Sequence, residues 1–214
     1  MYKLLVLCLA VAFASASFAV LAPSDVITRD DGTCLASNKI NLVTMEGMDK
    51  SGNANPNFLI NYVHLVLAKI TQVNALVYAT DAVVAEDFCS HVVNVLPTSF
   101  KERVWLSVNA DNSLWTLDVS QRLAYLGTIV STCTQHGLNL GISSDKESWA
   151  AVFGSSDASL DALKSLPLRY ISQDGNSNFN DYPSVKFGGW LNPTMKQYLT
   201  NESFCNHNMS FDFY

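Results

Sequence analysis

The residues whose types and spacing could do chemistry gather around one stretch, Val104-Trp105-Leu106-Ser107-Val108-Asn109-Ala110. As a strand it turns Val104, Leu106 and Val108 to one face and Trp105, Ser107 and Asn109 to the other. Two carboxylates at such i, i+2 positions could split an acetal. One would protonate the leaving oxygen and the other would stabilise or attack the cationic centre. Here the two positions hold a hydroxyl and an amide, which hydrogen-bond a ligand but supply no such proton. Other polar groups close neighbouring apolar runs: Glu46, Asp81, Ser143 and Asp174. Loops are polar by default, so any one of these acids taken singly reads more readily as a solvated loop residue. Trp105, Trp115, Tyr170, Tyr182 and Trp190 offer flat faces to a sugar ring or, more plainly, to a core. Trp190 follows Gly188 and Gly189, whose missing side chains let a ligand approach the backbone.

Positioning these groups requires a frame, and the hydropathy pattern supplies one. Short apolar runs at 18–21, 40–45, 75–79, 104–109, 138–142, 168–171, 185–190 and 209–213 read as strands. Between them, 31–37, 57–71, 85–95, 119–136 and the region of Trp149 read as helices, the second from apolar residues at Leu59, Val63, Leu67 and Ile70. Repeated β-then-α units demand a mostly parallel sheet, and about eight strands in one domain point to a closed, TIM-like β/α barrel. An open doubly wound sheet is the alternative, but no glycine-rich phosphate loop follows a strand. In a barrel, functional residues sit at the carboxyl ends of strands, so Glu46, Asp81, Ser107, Asn109, Ser143 and Asp174 define the candidate mouth.

The chain's 214 residues, 49% hydrophobic and 15% charged, are enough for one large core and a single α/β domain. A net charge of -6 argues against a nucleic-acid or anionic-membrane partner, because little would neutralise phosphates.

Residues 1–16 carry Lys3, the apolar run 4–13 and the small residues Ala14-Ser15-Ala16. This is the pattern of a secretory signal peptide cleaved after Ala16, and it is too short for a membrane span. The mature domain is therefore 17–214, expected to be secreted or in a lysosomal lumen, monomeric and free of membrane. Four cysteines remain, Cys34, Cys89, Cys133 and Cys205, which suit two disulfides in any of three connectivities. A barrel brings its first and last elements together, so Cys34 with Cys205 and Cys89 with Cys133 is the expected pairing. None of the spacings is a zinc or redox pattern, and neither metal nor cofactor is expected. Asn201-Glu202-Ser203 and Asn208-Met209-Ser210 are N-glycosylation sequons.

The ordered motifs also carry a resemblance. Val104-Trp105-Leu106-x-Val108, Gly141-Ile142-x-Ser144 with Trp149, Tyr170-Ile171-Ser172-Gln173-Asp174, Phe187-Gly188-Gly189-Trp190 with Pro193 and Lys196-Gln197-Tyr198, and a terminal Asp212 follow the order of family 25 glycoside hydrolases, the Chalaropsis-type lysozymes. The chain most resembles nematode and amoebal members, from Phe18 to the C-terminus. The resemblance implies a modified β/α barrel and, for typical members, cleavage of the β-1,4 bond between N-acetylmuramic acid and N-acetylglucosamine. It also implies departures. The family's Asp on the first strand falls on Leu21, its Asp-x-Glu pair falls on Ser107 and Asn109, and a tyrosine falls on Ser143. Asp174 stands as the retained acid of the cluster.

Without the proton donor, general acid catalysis worth about 10²–10⁴-fold is lost. Three functions follow as expectations. The first is a secreted, innate-immunity glycan binder of bacterial peptidoglycan or a related aminosugar polymer, with Trp190, Tyr170 and Trp105 contacting sugar and little or no hydrolysis. The second is an active muramidase using Asp174 with Glu46 or Asp81. The third is a protein-binding scaffold whose glycan groove has decayed.

Overall fold

The computed structural model describes residues 18–22 and 24–214, so the expected leader and its expected cleavage point lie outside the described residues. Eight strands follow one another around a closed barrel: β1 Phe18–Ala22, β2 Leu42–Met48, β3 Gln72–Tyr78, β4 Arg103–Ser107, β5 Asn139–Ser144, β6 Leu168–Ile171, β7 Met195–Phe204 and β8 His207–Phe213. The helices are α1 Arg29–Ser37, α2 Phe58–Leu67, α3 Ala85–Val95, α4 Val119–Gln135, α5 Lys146–Phe153, α6 Asp161–Lys164 and α7 Tyr182–Val185. Strands β1 to β7 are parallel, and β8 runs antiparallel to both β7 and β1. The expected single-domain TIM-like barrel is therefore observed, with its last strand reversed.

That reversal has a local cause. Phe204 pairs with His207 across Cys205 and Asn206, whose φ values are 48° and 67°. Two successive left-handed residues make the tight turn whose twist suits a hairpin. A parallel return would need a crossover of a dozen or more residues, and the turn leaves two.

One strand departs from the sequence reading. Residues 185–190 do not form the seventh strand; β7 lies at Met195–Phe204. Gly188 and Gly189 take φ values of 61° and 80°, a left-handed bend that no strand accommodates. The β2 and β3 boundaries also differ by a few residues, because the helix-to-strand turns contain no proline to mark them.

Strand parity divides the core in two. Val20, Val43, Val77, Val104, Leu106, Ile142 and Leu168 face outward onto the helices. Ala19, Leu42, Leu76, Trp105 and Met195 fill the barrel interior with Leu21 and Tyr78 beside them. Trp105 has room only because Gly141 is opposite on β5: a Cβ there would lie 2.5 Å from the indole ring. Gly141→Ala should therefore cost about 1–3 kcal/mol by overpacking, read as a lower denaturation midpoint; an unchanged midpoint would mean the indole moves freely.

Both expected disulfides are present, Cys34–Cys205 and Cys89–Cys133. The first ties the β7–β8 turn to α1, where Asp31 acts as a hub. Its carboxylate accepts from the Thr28 amide and hydroxyl in a capping box and from Asn206 Nδ2 at 2.8 Å, and His207 Nε2 lies 3.2 Å away. Burial alone would raise this carboxyl's pKa, but the bonds from Thr28, Asn206 and His207 outweigh it and hold the group far below the usual carboxylate range.

Candidate functional site

The mouth is built on inward positions of β3 to β6. Tyr78, Ser107, Ser143 and Arg169 are successive cross-strand neighbours in register. Sequence reading did not anticipate Arg169, although an arginine at an inward strand position must find a counter-charge. The fully buried guanidinium donates to Ser143 Oγ at 2.9 Å and Gln197 Oε1 at 2.6 Å and pairs with Asp212 Oδ1 at 2.8 Å. Apart from that ion pair, neither Asp212 oxygen has a hydrogen-bond partner among the described residues. Burial pushes the Asp212 carboxyl up to about 6 against the pull of Arg169.

Leu21 pairs with Thr44 and Ser210 and packs on the apolar interior cluster, so its position carries no charge. Ser107 is buried at the end of β4, and Asn109 lies just beyond it. The Asn109 Oδ1 accepts from the Asp111 amide at 3.0 Å, and its carbonyl accepts from Trp115 Nε1 at 2.8 Å. The amide thus holds the loop after β4 in place.

The three acids proposed as substitutes part company. Asp81 accepts from the Thr116 amide and hydroxyl and from the Leu117 amide at 3.1 Å, and so fastens the loop before α4. Asp174 is clamped by the buried Lys196, 2.8 Å away, which also binds Asp181 at 2.8 Å. Burial would raise the Asp174 pKa, but Lys196 and the bonds from Asn176 hold it below the usual range. Lys196 stands on the face of β7 opposite Gln197, beside Tyr170, away from the Arg169 network. Glu46 differs from both. Half-buried near the end of β2, its carboxylate is held by no hydrogen bond or ion pair among the described residues, and burial, then the charge of Asp49, raises its pKa. Tyr78 lies within electrostatic range of both Glu46 and Arg169, and its phenol is pushed up by burial and by Glu46.

Tyr78 also lines a cleft of about 460 Å³ at the exits of β2 and β3, with Met48, Lys50, Thr80, Val83, Phe88 and His91. Lys50 sits 5.7 Å above the Tyr78 ring and pairs with Asp111 at 3.4 Å.

The aromatics expected at the groove are buried. Trp190 donates to the Leu166 carbonyl and meets Trp149 edge-on at 5.2 Å. A Cβ on Gly188 would lie 2.2 Å from its ring, so the glycine makes room for Trp190 itself and not for a ligand. Tyr170 is sealed by Tyr182 and donates to Asp181 at 2.7 Å, while Trp105 plugs the barrel interior. In this structure, Tyr78 and Phe88 are the aromatics that line the cleft.

The site therefore combines one unpaired carboxyl that holds its proton more firmly than usual, a phenol, and hydroxyl and amide groups over a neutralised Arg–Asp floor. It can hydrogen-bond a polyhydroxylated ligand. A second free carboxylate to complete an acid–base pair is lacking among the placed candidates.

Known proteins with the same architecture were found by comparison. The bacterial lysozyme of Streptomyces coelicolor superposes with a TM-score of 0.72 over 94% of this chain and 92% of that one, at 12% identity, a likeness of fold alone. In sequence, a probable GH family 25 lysozyme 3 of Dictyostelium discoideum is 32% identical over 111 residues, and the lysozyme-like protein 7 of Caenorhabditis elegans is 28% identical over 115. Those matches take in 52% of this chain but 22% and 40% of the relatives' own lengths. Residues 14–198 match the family model described as Lysozyme-like protein 1. With most of its length matched by that model and its barrel shared with a bacterial lysozyme, the chain belongs to the lysozyme-like family of GH25 type.

Proposed function

We propose that this protein binds the glycan of bacterial peptidoglycan, or a related aminosugar polymer, at the barrel mouth, with little or no hydrolysis, and that it does so outside the cell in bacterial defence after losing residues 1–16. One observation carries the reading: Leu21, Ser107 and Asn109 hold no acid where the resemblance expects three, while Asp81, Asp174 and Asp212 are each bound to other groups. The hydroxyls of Ser51, Thr80 and Ser113 and the Tyr78 phenol around a cleft suit sugar recognition without cleavage. The exposed Asn201 and Asn208 on the β7–β8 hairpin are proposed glycan attachment points.

The expected result is that purified protein pellets with insoluble peptidoglycan while wall suspensions keep their turbidity. Combining Leu21→Asp, Ser107→Asp and Asn109→Glu should then bring clearing. Protein that stays in the supernatant would sink the binding claim.

A second reading, residual muramidase activity, is supported by Glu46, since a half-buried carboxyl with a raised pKa can act as general acid. Wall clearing by the wild type that Glu46→Gln removes would establish it and displace the first.

A further inference from the structure

We propose that the outer face of α2 is a self-association surface through which two copies of this chain pair about a two-fold axis. Helix α2 contains no Asp, Glu, Lys or Arg. Leu59, Ile60, Val63, Val66 and Leu67 are between 41% and 59% exposed. At 100° per residue these positions occupy one arc of roughly 120°. Other helices present charge instead: Arg29 and Asp30 on α1, Glu86 and Asp87 on α3, Lys146 and Glu147 on α5.

The helix cannot turn this stripe inward. On its opposite side Phe58, Asn61 and Leu65 are buried, and Asn61 accepts from the Ile27 amide at 2.8 Å and donates to the Asp25 carbonyl at 2.8 Å. Rotating α2 would break both bonds and bury an unsatisfied amide.

Charge and area select the occupant. A charged partner would find no Asp, Glu, Lys or Arg on α2 to pair with, and helices that lie on anionic membranes carry Lys and Arg. An uncharged stripe meeting itself suffers no like-charge contact, although the chain as a whole carries -6. Five half-exposed aliphatic side chains show on the order of 400 Å², the size that marks interaction sites on monomers. Doubled by symmetry this is roughly 800 Å², and rim residues such as Val26 and Pro56 must carry it past about 1,000 Å², the low end for a specific interface. The pair is therefore weak, and it replaces the single copy expected from the sequence. Antiparallel packing places Val63, at the middle of the stripe, opposite its own counterpart. Because barrel mouths lie at the strand ends and helices form the outer ring, both mouths stay open.

Sedimentation velocity without any glycan tests the pairing independently of the proposed ligand. Wild-type protein should pass from monomer to dimer between about 1 and 200 µM, and Val63→Glu and Val63→Lys should each raise the dissociation constant at least tenfold. An equimolar mixture of the two variants should restore the dimer, which neither misfolding nor lipid affinity would do. Wild type that stays monomeric to about 200 µM, a Val63→Glu variant that dimerises like wild type, or a mixture that fails to recover would each overturn the proposal. So would recruitment to phosphatidylcholine vesicles in the absence of self-association.

Discussion

Arg169→Met should destabilise the protein by about 3–5 kcal/mol, the usual cost of leaving one member of a buried ion pair without its partner. Asp212 would stay fully buried without its counter-charge, while Ser143 and Gln197 would lose the donor they share. Replacing both members, Arg169→Met with Asp212→Leu, should cost far less than the sum of the single changes, because the desolvated charges leave together. Denaturant midpoints of the four proteins test this. A single change costing under about 1 kcal/mol would mean that water already screens the pair. The same residue gives a pH signature. The folded pKa of Asp212, about 6, stands above its ordinary 3.8, so the folded state binds this proton more tightly. Its contribution is complete below pH 3.8 and is lost as pH rises through about 6. At about 1.4 kcal/mol per unit this amounts to about 3 kcal/mol. Measured against Asp212→Asn, wild-type stability should fall by that order between pH 4 and pH 7; parallel curves would refute the assignment.

Cys34→Ser with Cys205→Ser is expected to cost about 5 kcal/mol, the larger of the two disulfide effects. The bond closes a sequence separation of 171 residues, and constraint of the unfolded chain grows with the logarithm of loop length. Cys89–Cys133 closes a separation of 44 and should be worth about 4 kcal/mol on the same relation. For a chain of this size the first loss corresponds to a fall in Tm of roughly 10–20 °C. Asp31 would still grip Asn206, so the hairpin should remain docked in the folded protein. That makes the predicted loss one of unfolded-state constraint. A melting temperature within about 2 °C of wild type would show that the unfolded chain is already restricted.

Much of the barrel was legible in the residues. Helix α3, Ala85–Val95, and strand β6, Leu168–Ile171, lie where the hydropathy period puts them, because each buries a face whose repeat is written into the chain. The disulfide pairing was legible too, since a closed barrel leaves its first helix beside its last turn. The seventh strand was not. In 185–190 a run of apolar residues imitates a strand, and the left-handed Gly188 and Gly189 reveal a bend only through backbone angles that composition does not carry.

At the site, the residue types at 21, 107 and 109 are a property of the sequence, and with them the absence of acid there. Which acids remain free was decided by tertiary structure alone. Asp81, Asp174 and Glu46 look alike as loop or strand-end carboxyls, but the first meets the Thr116 and Leu117 amides, the second meets Lys196, and the third meets no partner among the described residues. Those partners are 35, 36 and 22 residues away along the chain. Pattern and composition are local, whereas the energy of a charge is set by what surrounds it in space.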